Sequence, residues 1–120
     1  MKIAVTSKGT TLDAEIDPRF GRAPYLLIVD SDSLAVEVLD NSENVNAFKG
    51  AGIQAASNIS KKGAHVLLTG FCGPNAFKTL QAAGIKVVQD VKGKAREAVE
   101  AYRDGKLSLS DAPNVEGHWT

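Results

Sequence analysis

The sequence has little cysteine, few aromatic residues and no surplus of either charge. One cysteine in 120 residues excludes an internal disulfide framework and a CxxC redox pair. Fourteen Lys and Arg residues balance fourteen Asp and Glu, and aromatics make up only 6%. Neither feature supports nucleic-acid binding, which ordinarily shows a basic surplus. No apolar run approaches the roughly 20 residues that span a bilayer. Met1-Lys2-Ile3-Ala4-Val5 leads straight into a strand pattern, which reads as the absence of a secretory leader. The expected setting is the reducing cytoplasm, without nucleic-acid or membrane partners.

What is present is ordinary globular composition, 43% hydrophobic and 23% charged, in a chain long enough for one domain with a core. Ile3 to Val5, Tyr25 to Val29 and Leu34 to Leu39 read as strands, the last two joined as an antiparallel hairpin by Asp30-Ser31-Asp32-Ser33. A helix is expected over Ala51 to Lys62, with Ile53, Ala56 and Ile59 on its apolar face. Val66 to Leu68 is a fourth strand and Lys78 to Ala83 a second helix. Ile85 to Val88 is a fifth strand, and Gly93 to Arg103 a third helix. Right-handed parallel crossovers then give an α/β domain over residues 1–105 and a polar tail over 106–120. Its mixed five-stranded sheet has order 3-2-1-4-5, with strand two antiparallel.

Strand direction collects the functional candidates. Loops 7–23, 40–52, 69–75 and 89–92 all fall at the carboxyl edge of the parallel strands, where open α/β sheets bind ligands. Two helices start there, at Gly50-Ala51-Gly52 and at Gly73-Pro74-Asn75. Each offers backbone N–H groups and a partial positive charge of about half a unit. Arg19, Arg22 and Lys49 add full charges, while Asp13, Asp17, Asp40 and Glu43 in the same loops oppose them.

No catalytic constellation is legible. Gly70-Phe71-Cys72-Gly73 lacks the Lys-Ser/Thr ending of a P-loop. Cys72 reads either as a small buried residue or as a thiolate favoured by the adjoining helix start. Alone it cannot build a structural zinc site. His65 begins a strand that Cys72 follows, so the two stand about 20 Å apart and share no metal. Arg19 and Arg22 read either as surface ion-pair partners or as anion contacts. Asp17, before Pro18, reads as a turn former.

Ile16-Asp17-Pro18-Arg19-Phe20-Gly21-Arg22-Ala23 resembles the D-P-R-F-G-R-A signature of the dinitrogenase iron–molybdenum cofactor biosynthesis family. Gly50-Ala51-Gly52-Ile53-Gln54-Ala55-Ala56 and Gly70 to Ala76 resemble its second and third blocks, in the same order. Many relatives carry a polar residue where this chain has Phe71.

The resemblance implies a ribonuclease-H-like fold and non-enzymatic carriage of a metal–sulfur cluster of molybdenum, iron or copper with sulfide. The strands corresponding to a ribonuclease-H metal site carry no acidic residue here, which argues against nuclease activity. In this reading the N–H groups of 51–53 and of Cys72, Gly73, Asn75 and Ala76 face sulfide, with Pro74 fixing the turn between them. Arg19 and Arg22 balance charge, Phe20 and Phe71 exclude water, and Gly21, Gly50, Ala51 and Gly52 line the edge. Cys72 and His118 are the candidate metal ligands. Two other readings are a regulatory or protein-interaction module on the same edge, and an enzyme acting on a phosphorylated substrate.

Overall fold

The computed structural model describes residues 1–45 and 50–113. Lys49, His118 and Trp119 lie outside them. Five strands form one sheet: β1 (Lys2–Ser7), β2 (Tyr25–Asp30), β3 (Val36–Asp40), β4 (Val66–Leu68) and β5 (Lys86–Val88). The order is β3-β2-β1-β4-β5. β1 pairs antiparallel with β2 and parallel with β4, and β4 pairs parallel with β5. Both the order and the reversed second strand agree with the expectation from the sequence.

The described residues contain four helices rather than three: α1 (Ser42–Val45), α2 (Ala51–Lys61), α3 (Pro74–Ala82) and α4 (Ala95–Arg103). The additional one, α1, is a single turn within the 40–50 loop. The Asp40 carboxylate accepts from the Ser42 N–H at 2.8 Å and starts it. Hydrogen bonds from Ser42 hold the Asp40 carboxyl below its usual range.

Period-two alternation sorts the strands between two cores. Ala4, Leu26, Ile28 and Leu67 face α2 and α3, meeting Ala55, Ala56, Ile59, Phe77 and Leu80. Ile3, Val5, Leu27, Val29, Val66 and Leu68 face α4, meeting Ala95, Ala98 and Val99. Each fully buried Leu or Ile side chain contributes about 1.5–3 kcal/mol.

Several element boundaries differ from expectation for local reasons. β3 begins at Val36, because Leu34 takes φ 62° and its N–H bonds back to the Asp30 carbonyl at 2.8 Å. α3 begins at Pro74, since a proline at the first helical position loses no hydrogen bond. α4 begins at Ala95, after a left-handed Gly93 and an extended Lys94. In α2 the buried face is Ala51, Gly52, Ala55, Ala56 and Ile59, while Ile53 points outward, 44% exposed.

Loop 8–23 straddles the carboxyl edge. Leu12 and Ile16 enter the α4-side core and Phe20 the opposite one, while Ala23 is also buried. No helix among the described residues is long and apolar enough to cross a membrane.

Candidate functional site

The three glycine-bearing blocks of the sequence touch one another. Phe71 donates its N–H to the Pro18 carbonyl at 2.6 Å, and Phe20 donates to the Phe71 carbonyl at 3.1 Å. Arg19 and Phe71 thereby form a parallel bridge. Gly70 lies so close beneath Pro18 that a Cβ there would stand 2.7 Å from the Pro18 Cα and carbonyl oxygen. Gly21, with φ +91°, packs against the start of α2, where its Cβ would stand 2.8 Å from the Gly52 nitrogen. Loop 17–22 therefore meets the entries to both α2 and α3.

Buried polar groups hold that loop in place. Asp17 donates its N–H to the Thr6 carbonyl at 3.0 Å, and the Thr6 hydroxyl donates to the Asp17 carbonyl at 2.7 Å. The Thr6 and Thr69 hydroxyls are 3.0 Å apart, joining the ends of β1 and β4. The Asp17 carboxylate accepts from the Arg19 N–H at 2.9 Å, which makes Asp17 the turn former expected of it. Asn41 is buried and donates to the carbonyls of Gly21 at 3.2 Å and Ala23 at 2.8 Å. Thr6, Thr69 and Asn41 were not among the expected site residues. Their only sequence signal is a small polar residue at the end of an apolar strand.

Neither α2 nor α3 has a side-chain cap or an acidic residue in its first turn. Helix geometry leaves the N–H groups of Ala51, Gly52 and Ile53 without intrahelical acceptors, and likewise those of Asn75 and Ala76. Gly50 precedes α2 in the left-handed conformation, and Gly73 precedes α3 extended. Arg19 is roughly half exposed, its Nε 3.5 Å from the Asp17 carboxylate. Arg22 donates from Nη1 to the Asn44 carbonyl at 3.4 Å. A polar cleft of about 410 Å³ opens beside this region, lined by Asp40, Asn41, Glu43, Asn44, Gln54 and Asn58.

Two expectations change here. Cys72 is fully buried, and its Sγ lies 3.8 Å from the Gly73 carbonyl oxygen. Burial pushes the thiol pKa up to about 12, so of its two readings the residue takes the small buried one, a thiol at neutral pH, and not the activated thiolate. Desolvation of the sulfur outweighs the adjoining helix start. Phe20 is likewise fully buried, and belongs to the core between the sheet and helices α2 and α3. Phe71 remains partly exposed. His65 is exposed at the opposite edge, its Nδ1 accepting from the Lys2 N–H at 3.3 Å. Among the described residues, no three His, Cys, Asp or Glu come together as a metal site. The donor set suits an anion held by N–H groups and charge, rather than a bare metal ion held by side chains.

The family profile described as dinitrogenase iron-molybdenum cofactor matches residues 1–105. Among solved structures, the apo form of the orange protein from Desulfovibrio gigas is 49% identical, with a TM-score of 0.92. That match covers 95% of this chain and 96% of the other. A Thermotoga protein described as a candidate NifB protein is 35% identical with a TM-score of 0.77, over 90% and 91% of the two chains. A Methanocaldococcus jannaschii protein, at 18% identity and a TM-score of 0.68 over 94% and 97%, shares the fold. No curated protein sequence matches. With 105 residues under the profile and nearly full-length similarity to a half-identical structure, the chain belongs to the dinitrogenase iron–molybdenum cofactor family.

Proposed function

We propose that this protein binds or carries an anionic metal–sulfur cluster, as cargo rather than for catalysis. The contact of loop 17–22 with both helix entries is the observation that supports this most. It gathers two uncapped helix starts and two arginines at one edge of a chain whose net charge is zero. N–H groups of Ala51 to Ile53 and of Asn75 and Ala76 donate to sulfide, and Arg19 and Arg22 offset the charge. Phe71 and Pro74 shield one side, while Gly50 and Gly73 keep side chains out of the approach. The cluster is of the molybdenum, iron or copper sulfide class. Cys72 packs the floor as a thiol.

The test is anaerobic titration of the purified protein with tetrathiomolybdate and Cu(I), followed by desalting. Charge-transfer absorption and retained metal are expected, reduced at least about tenfold in affinity by Arg19→Ala with Arg22→Ala, the loss of two charge-assisted contacts. Cys72→Ala retains binding. Absence of both absorption and retained metal in the unaltered protein counts decisively against the reading.

A second reading, a protein-interaction surface on this edge, draws on Ile53, an apolar side chain exposed in the first turn of α2. Partner capture abolished by Ile53→Ser but unaffected by the arginine changes favours it.

A further inference from the structure

β3 is an outer strand of the sheet, and its register against β2 runs without a bulge from Val36 to Asp40. Just beyond its two ends, Asp30 donates its N–H to the Ala35 carbonyl at 2.9 Å and Asn41 donates to the Pro24 carbonyl at 2.8 Å. Hydrogen-bonded and non-bonded pairs alternate along an antiparallel ladder. Glu37 and Leu39 therefore bond β2, while Val36, Val38 and Asp40 turn their N–H and C=O groups away from it. An edge of this kind is a template for another strand unless proline or a bulge interrupts it, and β3, Val-Glu-Val-Leu-Asp, has neither.

The side chains of β3 divide between two faces. Glu37 and Leu39 lie toward α2: the Lys62 ammonium stands 2.6 Å from the Glu37 carboxylate, and Leu39 packs on the core beneath α2. A groove of about 300 Å³ follows this edge, lined by Val38, Leu39, Asp40, Asn58, Lys61 and Lys62. Lys61 has no ion-pair partner among the described residues. Val38, on the opposite face, is 40% exposed.

We infer that the β3 edge binds a second copy of this chain, strand to strand and antiparallel, about a two-fold axis through Val38. In that register Val38 pairs with Val38 of the second copy, and Val36 and Asp40 pair with each other in both directions. All the outward groups of β3 are then satisfied, in three pairs that each exchange two hydrogen bonds. Centring the axis on Glu37 or on Leu39 leaves only two such pairs, and the first choice sets Glu37 against Glu37. Charge selects the same register. Glu37 of the second copy falls opposite Leu39, on the α2 face, and enters the groove beside Lys61. The two-fold repeats that ion pair, and Val38 meets Val38 on the other face. The edge is thus complementary to itself in both hydrogen bonding and charge. Because the strands run antiparallel, the carboxyl edges of the two copies face opposite ways, and the candidate site of each stays open.

Sedimentation velocity of the full-length chain over a rising concentration series tests this. A seam built on a five-residue strand is small, so a monomer–dimer equilibrium is expected, with a dissociation constant in the roughly micromolar-to-millimolar range. Val38→Pro removes an outward N–H without removing a bond to β2, and is expected to weaken dimerisation at least about tenfold. Glu37→Lys and Lys61→Glu, both at exposed positions, each set like charges across the seam and are expected to weaken it by about tenfold. An equimolar mixture of these two variants restores opposite charges at both crossings, and is expected to regain the dimer that neither forms alone. That rescue keeps the proposal open to refutation if the proline variant does not fold. A chain still monomeric at about 1 mM overturns the proposal. So does a dimer indifferent to Val38→Pro and to both charge reversals, which places the contact on another face, and so does a mixture that regains nothing.

Discussion

Among the described residues, three helices longer than a single turn, α2, α3 and α4, start from the carboxyl edge of one sheet, and the chain treats them in two ways. At α4 the start is closed. Lys94 N–H bonds to the Glu97 carboxylate at 3.0 Å, while Ala95 and Arg96 donate to the carbonyls of Ala14 and Leu12, each at 2.9 Å. Every one of those donors is taken by the protein itself, and the Glu97 carboxylate complements the positive end of the helix dipole. At α2 and α3 the start is entered through glycine, with no side-chain cap and no acid in the first turn. The same loop serves both arrangements: residues 12–16 close α4, and residues 17–22 brace α2 and α3. An uncapped helix costs about 1 kcal/mol relative to a capped one. That two of the three starts forgo the cap, on the side carrying Arg19 and Arg22, fits a site kept for an external anion.

Glycine replacement tests this contrast most severely. In Gly70→Ala the new methyl meets Pro18 backbone at 2.7 Å, and in Gly21→Ala it meets the Gly52 nitrogen at 2.8 Å. Backbone cannot step aside, so each is expected to cost about 2–4 kcal/mol, read as a lowered urea midpoint. Gly93→Ala, before α4, meets only the Glu97 Oε1 at 2.9 Å, the end of a flexible side chain. There the left-handed backbone sets the cost, about 1 kcal/mol. Equal losses at all three positions contradict the idea that the open side is assembled by close backbone contact.

The difference between these glycines also shows where sequence reasoning stops. The apolar runs at Val5, Leu27 and Leu68, with short turns between them, were enough to give strand order and direction, and hence the edge where the loops gather. Local competition was harder to see. Leu34 looks like the start of a strand, yet its left-handed turn keeps it out of one. Ile53 looks like a core residue at helical spacing, but the small residues Ala51, Gly52, Ala55 and Ala56 let α2 settle with a different face inward. The candidate site was legible as three motifs, though not as a contact among them, because Gly21–Gly52 and Gly70–Pro18 join residues 31 and 52 positions apart (52 − 21 = 31; 70 − 18 = 52). Between its two readings, Cys72 is decided by an electrostatic balance that the sequence does not display. Position at a helix start argues for a thiolate, and only the three-dimensional burial reveals the larger cost of desolvating the charged sulfur.

That burial makes a pH prediction. The Cys72 pKa is about 12 in the folded chain against an ordinary 9.0. Above pH 9 the unfolded chain releases a proton that the folded chain keeps, so folding stability falls as pH rises through that window and the contribution is fully present below it. The expected slope approaches roughly 1.4 kcal/mol per pH unit between the two values. Cys72→Ala removes this slope while costing packing at neutral pH. A thiol-reactive dye is expected to label Cys72 slowly in the native protein and promptly in urea. Rapid native labelling at pH 7 restores the thiolate to the open side of the comparison.

The smallest effects distinguish the two kinds of helix start most directly. Glu97→Ala opens α4 by removing the acceptor of the Lys94 N–H, and is expected to lower stability by about 0.5–1 kcal/mol with thiomolybdate binding unchanged. Ile53→Asp does the reverse to α2. Ile53 is exposed in the first turn, so the change loses little packing and places a carboxylate where the helix dipole favours it. Stability is expected to rise by about 0.3–1 kcal/mol. The added charge also competes with an incoming anion for the same N–H groups, so binding is expected to weaken several-fold, more at low salt than at high because the carboxylate is solvent-exposed. The opposite signs are the informative part: a variant more stable yet poorer at binding shows that the missing cap is a property of the site. If Ile53→Asp gains stability with binding intact, the uncapped start of α2 has no part in anion recognition, and the partner-surface reading of this edge gains ground.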